Sequence, residues 1–244
     1  TMGQEATDLF ESTREKAKAF LGAKSSKEIL FTKGTTEGLN LLAHSLSKLC
    51  LSPGDEILVS EMEHHSNIVP WQLAAETFQA KLKVLPMNDQ GELELEKLDE
   101  LLSMRTKIVS IVHTSNSLGT INPVKELAAK AKKVGAYVIV DGAQAVAHGP
   151  VNVQDLGVDF FAFSGHKLFG PTGVGVLYGK EEILREMPPY QGGGDMIERV
   201  RFTGTTYADL PHKFEAGTPP IAEVIGLGPA LDFMMSLELS EVMK

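Results

Sequence analysis

Short apolar runs alternate with amphipathic stretches along most of the chain, and the two follow different periods. Between Gln4 and Leu21 the apolar residues Leu9, Phe10, Ala17, Phe20 and Leu21 recur at helical spacing among charges, which predicts an amphipathic helix. The run Glu28 to Thr32 then reads as a strand, a Gly/Thr turn follows, and helical spacing returns over Glu37 to Leu49. After Pro53-Gly54-Asp55 the succession repeats: strand Glu56 to Ser60, helix Val69 to Gln79 and strand Lys81 to Pro86. The polar stretch Asn88-Asp89-Gln90-Gly91 leads into a helix expected over Leu95 to Leu102. The clearest unit joins strand Lys107 to His113, helix Val124 to Val134, a stop at Gly135 and a buried-type strand Ala136 to Val140. Strands separated by helices need crossover connections, so the pattern predicts an α/β fold with a largely parallel sheet covered on both faces.

From Phe160 the spacing changes. The apolar runs Phe160 to Phe163 and Val174 to Tyr178 are separated by a loop too short for a helical crossover, which predicts an antiparallel pair. Pro188 to Pro220 is rich in Gly, Pro and Thr without periodicity and reads as a long ordered functional loop or a flexible arm. The tail Ile221 to Met243 returns to helix. There is no internal repeat, low-complexity tract or clear linker.

In an open parallel sheet, ligands bind beyond the carboxyl ends of the strands. The side chains predicted there are Gly34-Thr35-Thr36, Glu63-His64-His65, Asn116, Asp141 with Gln144, and Ser164-His166-Lys167, so ionisable residues gather from five segments. Composition narrows what they can serve. Of the 244 residues, 32 are acidic and 23 basic, a formal charge of −9 with no basic run, which argues against a dedicated nucleic-acid binder. The single cysteine, Cys50, allows no internal disulfide framework. No apolar stretch reaches the roughly 18 to 20 residues of a membrane span, and the first residues resemble no secretion signal, so the chain reads as soluble and cytoplasmic.

Asp141 follows the apolar run Tyr137 to Val140 and precedes Gly142, which puts its carboxylate at the mouth of a buried strand. It either caps the next turn or pairs with a metal, an arginine or a protonated pyridine nitrogen. Lys167 ends the run FFAFSGHK, where apolar neighbours favour a deprotonated amine, although alone it is equally a snorkelling surface lysine. The pair raises the odds: pyridoxal 5'-phosphate (PLP) needs a lysine for a Schiff base and an acid to keep the ring nitrogen protonated. FTKGTTEGLN, Phe31 to Asn40, reads as strand, turn and helix. Its Thr35 and Thr36 hydroxyls and free N–H groups either cradle a phosphate or form a plain threonine cap. His64 and His65 lack metal-site spacing, and an imidazole stacked on a flat ring is better motivated than a metal ligand. Gln191-Gly192-Gly193-Gly194 is an anion nest or, more simply, a permissive bend.

With these residues assembled, the chain resembles the fold-type I PLP enzymes of the class-V aminotransferase group, in particular the Suf-type cysteine desulfurase and selenocysteine lyase branch. The resemblance rests on GTTEGLN, EMEHHSNIVPW, HTSNSLGTINP, VDGAQAVAH, FSGHKLFGPTGVG, GGGDMI and FEAGTP, seven stretches in family order over roughly residues 4 to 235. It implies a PLP-binding large domain over residues 1–235 with a mostly parallel, seven-stranded type of sheet. Residues 236–244 would begin the connection to a C-terminal small domain that is largely missing.

The resemblance also implies roles. Lys167 would carry the cofactor, Asp141 pair with the pyridine nitrogen, Gln144 bond the phenolic oxygen, His64 stack on the ring, and Asn116 stand beside cofactor and substrate. Thr36, Ser164 and His166, with Thr35 nearby, would bind the phosphate, and Thr218 would reach it from the partner subunit of a homodimer. The implied activity converts L-cysteine, or L-selenocysteine, to L-alanine. The sulfur would pass to an enzyme persulfide and then to an acceptor protein for iron–sulfur cluster assembly. The family's nucleophilic cysteine and carboxylate-binding arginine are expected beyond Lys244, which makes this a partial chain. Cys50 is read as a small packed hydrophobe instead. Another class-V lyase or epimerase, a PLP-free dimerisation module and a nucleotide-binding α/β protein are the other readings.

Overall fold

The structure, a computed structural model, describes residues 1–237. Helix α1 (Met2–Leu21) buries Phe10, Ala17 and Leu21 of the predicted stripe but leaves Leu9 exposed, and it stops where Gly22 enters the left-handed region at φ 67°. Strand β1 (Ile29–Thr32) is buried along its length and passes through Lys33 and Gly34 into α2 (Thr35–Cys50). Then come β2 (Glu56–Ser60), α3 (Val69–Phe78) and β3 (Lys81–Leu85). The helix expected over Leu95 to Leu102 is shorter, a 3-10 turn followed by the single turn of α4 (Leu98–Leu101). The clearest unit forms as expected, with β4 (Thr106–Val112), α5 (Val124–Lys133) and β5 (Tyr137–Asp141). Two helices of four residues each, α6 (Ala145–His148) and α7 (Val153–Leu156), precede β6 (Phe160–Ser164) and are too short to display a period. Next are β7 (Gly175–Gly179) and α8 (Glu181–Glu186).

Seven strands form one sheet in the order β1-β7-β6-β5-β4-β2-β3. All pairings are parallel except those of β7, which runs antiparallel to β6 and to β1, as the short loop before it requires. Alternate residues of each strand feed opposite layers. Val138 and Val140 face the layer containing α1, α5 and α9 (Ile221–Ser236), whereas Ile139 faces that of α2, α3 and α8. Burying a Leu, Ile or Phe side chain in either layer contributes about 1.5–3 kcal/mol.

The segment Pro188 to Pro220 departs from its expected lack of regular structure. It contains a hairpin of β8 (Ile197–Arg201) and β9 (Gly204–Tyr207), a separate two-stranded sheet with Phe202 fully exposed at its tip. The hairpin's side chains are almost all exposed, so no alternation betrays it. Helix α9 ends at Ser236, and the part of the expected tail helix from 238 to 243 lies outside the described residues.

Buried Arg14 fastens three segments together. Nη1 donates to Ile29 O (2.8 Å) and Glu215 Oε1 (2.7 Å), Nη2 donates to Glu215 Oε2 (3.0 Å), and the guanidinium lies 4.5 Å from the centre of the Phe31 ring. A bidentate pair so well hydrogen-bonded fixes the loop after Phe214 against α1 and β1.

The start of β7 passes unusually close to the turn before α2. A methyl group on Gly175 would lie 2.5 Å from Gly34 Cα and 2.6 Å from Phe163 O, both backbone atoms. Gly175→Ala is therefore expected to lower unfolding free energy by about 1–3 kcal/mol or more in urea titrations. Gly3→Ala, at an open position of α1, is expected to cause no loss.

Candidate active site

Because β7 alone is reversed, strands β1, β2, β4, β5 and β6 all end at one edge, and a cavity of about 250 Å³ opens there. Each strand end contributes to its lining. Thr35 and Thr36 begin α2, and His64 and Ser66 follow β2. Val112, Thr114 and Asn116 come from β4 and its loop, Asp141, Ala143 and Gln144 from β5, and Ser164, His166 and Lys167 from β6. Nine of the ten residues given cofactor roles by the resemblance thus meet in one place. Ser66 and Thr114 were not singled out, although both stand within two residues of a residue that was.

The wall formed by α2 depends on Gly34, whose φ of 152° disfavours side-chain-bearing residues. The chain turns there so that Thr35 N–H donates to Ser164 Oγ (2.9 Å), while the Thr35 and Ser164 hydroxyls also meet at 2.9 Å. The first helical bond runs from Gly38 N–H to Gly34 O. Among the described residues, the N–H groups of Thr36 and Glu37 have no acceptor. Those two donors and the positive end of the helix dipole suit an anion such as phosphate.

Asp141 lies deeper, 2% exposed. Among the described residues its carboxylate accepts one hydrogen bond, from Ala143 N–H at 3.0 Å. Burial pushes its pKa up, opposed by that bond and by the fields of Lys167 and His64. A cation placed against it would reverse the shift. Lys167 is half-buried in the 3-10 turn after β6 and, among the described residues, has no salt-bridge partner. His64 is exposed at the rim. Its Nδ1 accepts Ser66 N–H at 3.2 Å, which places the ring proton of the neutral form on Nε2.

Behind these groups sits Glu63, expected at a strand end but assigned no role there, a buried carboxyl. Ser60 Oγ and Val112 N–H meet its Oε1 at 2.5 and 2.8 Å, and Asn67 Nδ2 donates to Oε2 at 2.7 Å. Burial nevertheless pushes its pKa up to about 8, with nearby Asp141 adding to the shift.

Other expected features lie elsewhere. Thr218 is exposed and lines a separate cavity with Lys33 and Tyr190. His65 does not line the main cavity, and among the described residues no cluster of three metal-ligating side chains occurs. The glycine run is a bend in which Gly194 O accepts Met196 N–H and Gly217 N–H. Cys50 sits at the far end of α2, its thiol pushed up to about 12 by burial.

The aminotransferase class-V family model matches residues 1–244. A cysteine desulfurase of Enterobacter sp. (strain 638) is 53% identical over 243 residues, which cover 99% of this chain and 60% of that protein. A cysteine desulfurase of Pectobacterium atrosepticum is 49% identical over 245 residues, covering 100% of this chain and 60% of that protein. Among solved structures, the cysteine desulfurase CsdA (S-sulfonic acid) from Escherichia coli superposes with a TM-score of 0.94 at 44% identity, over 98% of this chain and 60% of that one. The cystine C-S lyase C-DES, in complex with its reaction product cysteine persulfide, gives 0.87 at 27% identity, over 98% of this chain and 64% of that one. The chain spans about three fifths of the length of the curated relatives it matches, and these matches do not divide a Suf-type branch from that of CsdA.

Two outcomes follow from the geometry. Ser164→Ala removes the only acceptor of the buried Thr35 N–H among the described residues, and unfolding free energy is expected to fall by about 1–3 kcal/mol in urea titrations. Glu63 holds its proton in the folded chain at pH values where the unfolded chain, with an ordinary value of 4.5, has released it. Raising the pH from 4.5 to about 8 therefore favours the unfolded state. The stability advantage of the parent over Glu63→Leu should shrink across that window, and a flat difference would contradict the assignment.

Proposed function

The chain belongs to the aminotransferase class-V family, and on that premise we propose that it is the cofactor-binding part of a PLP-dependent cysteine desulfurase, which takes sulfur from L-cysteine and leaves L-alanine. The observation that carries this reading is the convergence in one cavity of Lys167, without a salt-bridge partner among the described residues, and the buried, singly hydrogen-bonded Asp141. Relatives named cysteine desulfurase, at 53% and 49% identity, support the reaction class, and so does a C-DES variant solved with glycine covalently linked to its PLP cofactor.

The residues fit such a cofactor. A buried carboxylate short of donors suits a protonated ring nitrogen, and unpaired N–H groups at the start of α2 suit a phosphate. When bound, PLP supplies an electron-poor ring that stores the electron pair left on the substrate Cα. Asp141 keeps the proton on the ring nitrogen. Gln144 donates to the phenolic oxygen, and Asn116 stands beside cofactor and substrate. Thr36, Ser164 and His166, with Thr35 beside them, hold the phosphate. Lys167 would hold the cofactor through Nζ, and the free amine would accept the substrate Cα proton and later return it. His64 covers one face of the ring, and its Nε2–H is a proton donor inside the cavity.

The thiolate that takes the sulfur is assigned to the two fifths of its relatives' length that this chain does not span. Cys50 does not serve, since 16 helical residues put it about 22 Å from the cavity end of α2. The sulfur then passes to an acceptor protein, for iron–sulfur cluster assembly. Thr218 reaches the phosphate of a second copy. Its place outside the cavity of its own chain supports a homodimer, as does the exposed hairpin of β8 and β9, since lone two-stranded sheets are marginal in water. The reaction belongs in the cytoplasm; among the described residues no helix is long and apolar enough to cross a membrane.

The full-length protein, given PLP, L-cysteine and a reductant, is expected to release alanine and sulfide in equal amounts. Borohydride should fix the cofactor to Lys167, as peptide mass spectrometry would show, and Lys167→Ala should abolish both turnover and labelling. Asp141→Asn should slow turnover by about a hundredfold or more while the protein stays folded. A colourless protein that ignores added PLP would defeat the reading, and faster turnover of L-selenocysteine would move it to the lyase.

A further inference from the structure

Behind the cavity runs a buried chain of hydrogen bonds that the reaction as proposed does not use. Trp71 Nε1–H donates to Asn67 Oδ1 (2.9 Å), and Ser110 Oγ donates to the same oxygen (2.6 Å). Asn67 Nδ2 donates to Glu63 Oε2 (2.7 Å), while Ser60 Oγ and Val112 N–H meet Glu63 Oε1 (2.5 and 2.8 Å). Trp71, Asn67 and Ser110 have no exposed surface, and Ser60 has 1%.

The polarity of this chain is forced. An indole N–H and a backbone N–H can only donate. Trp71 therefore fixes which end of the Asn67 amide faces it, and the other end, the NH2 group, must face Glu63. Val112 N–H requires Oε1 to accept as well. Only the Ser60 hydroxyl is free to choose its role, so a proton on the Glu63 carboxyl has one place to point. Neither oxygen position tolerates an amide nitrogen.

Two members of the chain, Asn67 and Val112, connect it to the cavity wall. Asn67 shares the 3-10 turn after β2 with His64, and Asn67 N–H donates to His64 O at 2.8 Å. Val112, the last residue of β4, lines the cavity and pairs in register with Asp141. Glu63 thus ties the turn under His64 to the strand beside Asp141.

We propose that Glu63 is a positioning residue which, through the hydrogen-bond polarity it shares with Asn67, holds His64 at the cavity mouth and Val112 against the strand that carries Asp141. The proposal rests on the PLP reading for its affinity measurement alone.

The test uses the full-length protein and the variants Glu63→Gln, Asn67→Asp and the two combined. Glu63→Gln alone turns an amide nitrogen toward either the Asn67 amide or Val112 N–H. Asn67→Asp alone sets two carboxyls face to face. The double variant reverses the bond: the new amide at position 63 donates, and the new carboxyl at position 67 accepts from it, from Trp71 and from Ser110, so the pair again holds one carboxyl and one amide. Each single variant is expected to weaken PLP binding, followed by absorbance titration of the apo-protein, by about tenfold or more. Each should also shift the His64 ring resonances in NMR spectra of the apo-protein. The double variant should return the affinity to within about threefold of the parent and restore the resonances.

Singles that leave both readouts unchanged overturn the proposal. So does a double variant that regains thermal stability while affinity and resonances stay shifted, because a purely structural role would give that result. If the singles do not fold, the double decides alone: parent-like readouts support the proposal, and shifted readouts or failure to fold overturn it. If the parent itself takes up no PLP, the cofactor reading falls and the His64 resonances still decide the role of Glu63.

Discussion

Burying a carboxylate at the end of an apolar strand is costly unless something is placed to meet its charge, and Asp141 sets that condition for the whole carboxyl edge. It ends β5, the fourth of seven strands in spatial order, where both faces of the sheet are covered by helices. The protein itself offers one backbone N–H and the more distant fields of Lys167 and His64. Lys167 follows β6, Asn116 follows β4 and His64 follows β2, so lysine, amide and imidazole groups converge because strands of common direction end at one edge. A second buried carboxyl nearby, Glu63, is tolerated because Asn67 and Val112 donate to it and because it keeps its proton, which Ser60 can accept, into the neutral range.

Much of this arrangement was legible in the sequence. Lys167 and Asp141 each follow an apolar run long enough to be a buried strand, and the rule that ligands gather beyond strand ends brings them together without knowledge of the packing. The antiparallel step at β7 followed from a loop too short for a crossover. What stayed hidden depends on contacts between distant segments or on elements too short for a period. The Glu63 network joins Ser60, Asn67 and Val112 from two strands and a turn, and its fixed polarity comes from Trp71, which reads in the sequence as an ordinary core residue. The hairpin of β8 and β9 has almost no buried face, so it leaves no alternation to detect. Thr218 carries no local signal of its position, since the loop that bears it is placed by Arg14, some two hundred residues away in sequence.

Shape and charge are divided between different parts of the fold. The α2 wall is a matter of backbone: a glycine turn, one N–H satisfied by Ser164 and two N–H groups left open. The opposite side is a matter of side chains at different depths, from exposed His64 at the rim to Asp141 at the base, whose pKa burial raises. A ligand with a phosphate at one end and a basic ring nitrogen at the other matches both at once, and that double match distinguishes the cavity from a generic nucleotide pocket.

The contact between Gly175 and Gly34 has a consequence for anyone who would transplant this cavity. With no room for even a methyl group between them, the turn that begins α2 and the strand that follows the lysine loop behave as one inseparable part, although about 140 residues lie between them in sequence. Loops copied one at a time onto another α/β scaffold would not reproduce the cavity. The smallest portable unit of the wall that carries Thr35, Ser164 and Lys167 is the set of three adjacent strands, β1, β7 and β6, with both of the glycines that let their backbones touch.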